Sequence, residues 1–125
     1  MPSDKEVELK LTIGATAQDD EEDLEKITQQ LVTELNEIDA VKKAEPRKTG
    51  IAPDGAKAGE VIAWGEILMT LMTSGGLVAA VNTLNSWIKG RRRQLKIRKN
   101  GETKSIDASG LDKDEVNELI EWIRQ

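Results

Sequence analysis

The 125-residue chain contains no histidine, no cysteine, no tyrosine and no phenylalanine. Each absence removes a class of chemistry. Without His and Cys there is no Ser-His-Asp or Cys-His nucleophile system, no thiolate, no zinc site of the usual ligands and no disulfide framework. Without Tyr there is no phenolic acid. Stacking on nucleic-acid bases would rest on three tryptophans, the only aromatic residues. What remains is Asp, Glu, Ser, Thr, Lys and Arg, and no constellation of them proposes a catalytic, cofactor or metal site. The expectation is a protein that is not an enzyme. At this length one domain is expected, burying roughly two-thirds of its unfolded surface.

Charge is plentiful but unevenly spread. The net charge is −5, and 33% of residues are charged. Residues 1–60 hold 15 acids and 8 bases; residues 61–89 hold only Glu66 and Lys89; residues 90–125 hold 7 acids and 9 bases. The chain is acidic, then nearly uncharged and apolar, then mildly basic. Net charge speaks to solubility and association rather than to fold. The opening Met-Pro-Ser-Asp-Lys-Glu has no apolar signal core, so a cytoplasmic location is expected.

Residues 6–13 alternate strictly, with Val7, Leu9, Leu11 and Ile13 on one side, and predict a half-buried strand. In residues 19–38, Leu24, Ile27, Leu31, Leu35 and Ile38 recur every three or four positions, which predicts an amphipathic helix. Asp19 and Glu22 suit a capping box at its start. The acidic run 19–23 complements the helix dipole rather than binding metal, since no Gly-turn calcium loop is present. Residues 40–48 suggest a short strand that Pro46 keeps from a central position. Residues 49–59 read as a loop. Residues 94–106 predict a hairpin around Asn100-Gly101, with Lys99 opposite Glu102, Ile97 opposite Lys104 and Leu95 opposite Ile106. Asp112 and Glu115 form a second capping box, opening a helix with Val116, Leu119, Ile120 and Ile123 on one face.

The middle of the chain is the most distinctive part. Ile67 to Ile88 is 22 residues without a charge, long enough for a membrane span, and a cluster of arginines follows it. The polar residues Thr70, Thr73, Ser74, Asn82, Thr83, Asn85 and Ser86, with the Gly75-Gly76 break, favour instead two helices, 60–72 and 75–90, forming a buried or partner-facing hairpin. Residues 89–99 then hold seven bases and no acid. Lys96 and Arg98 occupy the solvent side of a predicted strand, and no aromatic platform or nucleic-acid-reading motif accompanies them, so a solvated face or an acidic protein partner fits better than nucleic acid. The candidate interaction surface is Trp64, Leu68, Met72, Trp87, Arg91, Arg92, Arg93, Lys96 and Arg98. Burial is the favoured fate of Trp87, which sits between Leu84 and Ile88.

The resulting architecture is α+β: a sheet of three to four strands packed by about four helices, in the order β-α-(β)-α-α-β-β-α, as a single domain over residues 1–125. Residues 60–101 resemble one family. They run from an apolar helix into Thr73-Ser74-Gly75-Gly76, then Leu84-Asn85-Ser86-Trp87-Ile88, the arginine cluster, an alternating strand and Asn100-Gly101. This is similar to the type 1 effector-associated constant component family of bacterial conflict systems, whose members show a Gly-Ser-Gly-Gly break and a Leu-x-x-Trp-Leu helix end with arginines. Thr73 stands where the first Gly is usual, and Ile88 where Leu is usual. The resemblance implies an accessory component that binds or restrains an effector, such as a caspase-like or trypsin-like peptidase or a TIR domain, beside an NTPase in antiviral defence. The alternative is a membrane-associating module using the 60–88 hairpin and the 89–99 basic strip, and a weak nucleic-acid binder is a further one.

Overall fold

A computed structural model of the chain describes residues 6–14, 20–48, 62–73 and 76–125. The predicted loop 49–59 and Asp19 lie outside them. The elements are β1 (Glu6–Ile13), α1 (Glu21–Asn36), β2 (Val41–Lys48), β3 (Ile62–Met72), α2 (Leu77–Arg91), β4 (Leu95–Lys99), β5 (Glu102–Ile106) and α3 (Lys113–Arg124). The five strands form one antiparallel sheet in the order β2-β3-β1-β4-β5. The α+β class is as expected, with five strands and three helices among the described residues where three to four strands and about four helices were expected.

Alternation along each strand decides which side of the sheet is covered. Leu9, Leu11 and Ile13 of β1, Ile67, Met69 and Leu71 of β3, and Leu95 and Ile97 of β4 are all buried. They meet Leu31 and Leu35 of α1, Leu77, Val81, Leu84 and Ile88 of α2, and Leu119, Ile120 and Ile123 of α3 in a single cluster. Each fully buried aliphatic side chain contributes about 1.5–3 kcal/mol relative to exposure. All three helices therefore sit on one face, α2 in contact with both α1 and α3.

Residues 60–72 were expected to be helical; the described part, 62–72, forms strand β3. The strand lies second in the sheet, hydrogen-bonded to β1 on one side and β2 on the other. An apolar run with residues on both faces carries no clean period, and pairing along two flanks overrides the helix propensity of its Leu and Met residues. In place of the expected 60–90 helical hairpin, the described residues form strand β3 and then helix α2. Among the described residues no helix is long and apolar enough to cross a membrane.

Other details follow the local chemistry. The capping box of α1 uses Asp20 and Asp23 instead of Asp19 and Glu22. That of α3 uses Asp112 and Glu115 as expected. Edge strand β2 carries Pro46 and two register irregularities. The hairpin has the expected register, and Asn100 and Gly101 both adopt positive φ (50° and 87°), as a type I′ turn requires. Gly65 has φ +94° where β3 bulges, and its N–H donates to the buried Thr28 Oγ1 of α1 at 2.8 Å. Gly76 packs so closely on Ala40 that a Cβ there would approach Ala40 Cβ to 2.6 Å.

Candidate interaction surface

No described residue covers the sheet face opposite the helices, here called the open face. Its side chains are the alternate residues: Glu6, Glu8, Lys10 and Thr12 of β1, Glu66, Leu68, Thr70 and Met72 of β3, and Lys96 and Arg98 of β4. The register arranges them in rows. One row runs Glu45–Leu68–Lys10–Arg98–Thr103 and the next Glu66–Thr12–Lys96–Ser105. A groove of about 450 Å³ crosses this face, with Leu68 in its floor among Glu8, Lys10, Lys43, Glu45 and Arg98. Leu68 is 42% exposed.

Charge on this face divides into a paired and an unpaired part. Glu66 binds Lys10 at 2.9 Å and Arg47 at 3.3 Å; Lys43 binds Glu45 at 3.3 Å; Lys42 pairs with Glu6. Lys96 and Arg98 have no such partner among the described residues, and Arg98 stands directly opposite Lys10. Like charges across a strand pair are unfavourable, and the Glu66 carboxylate on Lys10 offsets this one.

Burial by itself raises the Glu66 pKa. The hydrogen bond and charge of Lys10, with the charge of Arg47, outweigh that effect and hold the carboxyl below its usual range. A depressed folded pKa stabilises the fold above the unfolded value of about 4.3, and the contribution disappears as pH falls through the folded value. Glu66→Gln is therefore expected to destabilise at pH 7. Urea unfolding repeated at decreasing pH should show the gap to wild type closing below about pH 4.3. A gap independent of pH would contradict the assignment.

The structure divides the nine candidate residues among three places. Leu68, Met72, Lys96 and Arg98 all lie on the open face, Leu68 and Arg98 in one row through Lys10, Met72 toward one end of β1 and Lys96 toward the other. Trp64 lies half-buried at the bulged end of the same strand β3, outside the core cluster. Trp87 is 6% exposed, on the helical side. Arg91, Arg92 and Arg93 end α2: Arg91 is exposed, Arg92 is the left-handed C-cap (φ 55°), and Arg93 Nη1 donates to Gly14 O at 3.1 Å. The basic strip is therefore no single surface. Its last member, Lys99, is buried: Nζ donates to Trp122 O at 2.8 Å and to Gln125 O. Sequence reasoning left Lys99 out, although it shares the parity of Leu95 and Ile97.

Three helices on one side of an antiparallel sheet, with a face of mixed charge that no described residue covers on the other, define a small α+β domain. The profile of the Effector Associated Constant Component 1 family matches residues 16–124, and the chain belongs to that family. No curated protein and no solved structure matches it.

Proposed function

We propose that the chain is a non-enzymatic adaptor that holds an effector against the open face of its sheet. One observation carries the reading: on that face the exposed Leu68 stands in one row with Lys10 and Arg98, and Arg98 and Lys96 have no ion-pair partner among the described residues. An apolar anchor ringed by charge is the usual anatomy of a binding patch, the anchor giving affinity and the charges orientation. Membership of an effector-associated family supplies the class of partner, and the composition lacks histidine and cysteine, hence the commonest general base and the thiolate nucleophile. The effector is a peptidase-like or TIR-type protein, and an NTPase of a bacterial defence system supplies the trigger.

Co-purification with the product of the neighbouring effector gene tests this. Leu68→Asp and Arg98→Glu, both at exposed positions, are each expected to weaken association at least about tenfold while leaving the urea midpoint nearly unchanged. Absence of association in every nucleotide and trigger state would overturn the proposal.

A further inference from the structure

The two edges of the sheet differ. At one end β2 carries Pro46 and two register irregularities, devices that keep a foreign strand from pairing. At the other end β5 has neither: its five residues pair with β4 in one unbroken register. The Asn100-Gly101 turn fixes which backbone groups that pairing leaves over. The Glu102 N–H closes the turn on the Lys99 carbonyl, and bonded and non-bonded pairs alternate from there. Glu102, Lys104 and Ile106 therefore point their backbone groups at β4, and Thr103 and Ser105 point theirs outward. No described residue accepts from the N–H of Thr103 or Ser105 or donates to their carbonyls.

The side chains around this edge say what kind of strand fits it. On the open face Thr103 stands beside Arg98 and Ser105 beside Lys96. An added strand lies two strand spacings from β4, about 10 Å, so an arginine or lysine extended over the small Thr103 or Ser105 can meet its side chains. Those on the open face should be acidic. On the helix side the edge borders a concavity of about 500 Å³ between Lys104 and α3, walled by Glu118, Glu121 and Trp122. The carboxylates there, with Glu102 beside Trp122, turn acidic side chains away. A second copy of β5 fits poorly. In the two-fold register that uses all five residues, Lys104 faces its own copy, an unfavourable pairing. That copy also brings only Thr103 and Ser105 to the open face, and no acid for Arg98 or Lys96.

We propose that β5 is a docking edge, to which an extended segment of a protein partner adds as a sixth strand with Asp or Glu on its open-face side only. Backbone bonds to Thr103 and Ser105 supply affinity, and the acids on Arg98 and Lys96 set the register. It rests on that face holding a protein partner, as proposed above, and gives the partner's segment a form.

A phage-displayed dodecapeptide library panned against the full chain, with Ser105→Pro as counter-target, tests this. Proline is tolerated on an edge strand where the missing N–H faced outward, so the urea midpoint should hold while strand addition is blocked. Ser105→Ala keeps the N–H and should bind as wild type does. Enriched peptides should carry Asp or Glu two residues apart with no acid between. They should bind at least about tenfold more weakly to Ser105→Pro, and likewise to Arg98→Glu, a change at an exposed position. Amide exchange at Thr103 and Ser105 should slow at least about tenfold on binding, as their N–H groups gain acceptors. No enrichment over the counter-target, peptides without this acid pattern, or unchanged exchange at Thr103 and Ser105 would overturn the proposal. So would a dimer that Ser105→Pro dissociates, since it gives the edge to a second copy. Effector association weakened by Leu68→Asp but not by Ser105→Pro would remove the docking edge and leave the adaptor reading standing.

Discussion

Thr28→Val is expected to lower the stability of the fold by about 2 kcal/mol, with the loss read as a drop in the urea midpoint at unchanged slope. The substitution keeps the β-branched shape and removes one hydroxyl. That hydroxyl is fully buried and does two things: it donates to Leu24 O at 2.6 Å and accepts from the Gly65 N–H at 2.8 Å. The first bond is dispensable, because a threonine bond to the preceding turn competes with the helix's own ladder. The second is not. Gly65 sits at the bulge of β3, where the backbone leaves regular pairing, and valine would strand its N–H away from water. Thr33 supplies the control. It makes the same kind of bond to Gln29 O at 2.9 Å, but on an exposed surface, and accepts nothing from the sheet. Thr33→Val should fall within about 0.5 kcal/mol of wild type. Equal effects at the two sites would show that the bulge does not depend on Thr28.

The second large effect is expected at Lys99. Lys99→Met should cost about 2 kcal/mol, and Lys99→Glu more, since it places a carboxylate against carbonyl oxygens at the negative end of a helix. The last turn of any helix leaves carbonyls without intrahelical donors. In α3 the Lys99 ammonium reaches across from β4 to Trp122 O and Gln125 O. The same ammonium lies 5.8 Å from the centre of the Trp122 ring, and Lys104 lies 5.6 Å from it. Losing these contacts loosens the docking of α3 on the hairpin, so unfolding followed by Trp fluorescence should shift with far-ultraviolet helicity. Lys96→Met, three residues away and on the opposite face, should be nearly silent.

How much of this was legible depends on whether local pattern or partner strands set each element. The hairpin register, the strand β1 and the Asp112–Glu115 cap were readable, because turn chemistry, alternation and capping act within a few residues. Edge strand β2 was readable from Pro46. The α1 cap was misplaced by one position because five consecutive acids offer several equivalent boxes. Segment 62–72 was misread because its state is set by β1 and β2, distant in sequence. Leu68 and Met72 nevertheless share a face, as they would have on a helix, because residues four apart fall on one side of either element. The open face itself was invisible, since seeing it requires knowing that β3 lies between β1 and β2.

The alternation of the strands has a consequence for how such a protein can change. In β1, β3 and β4, residues that hold the core and residues that face outward are interleaved one by one. Substituting Leu68, Lys96 or Arg98 removes nothing from beneath the helices, while Ile67, Met69 and Ile97 beside them stay fixed by packing. The outward set can therefore be rewritten for a new partner in single steps, each tolerated by the scaffold. A helical surface offers less of this freedom, because its outward and inward residues grade into one another around the cylinder. A sheet face so separable from its foundation can change its chemistry while the architecture beneath it stays the same.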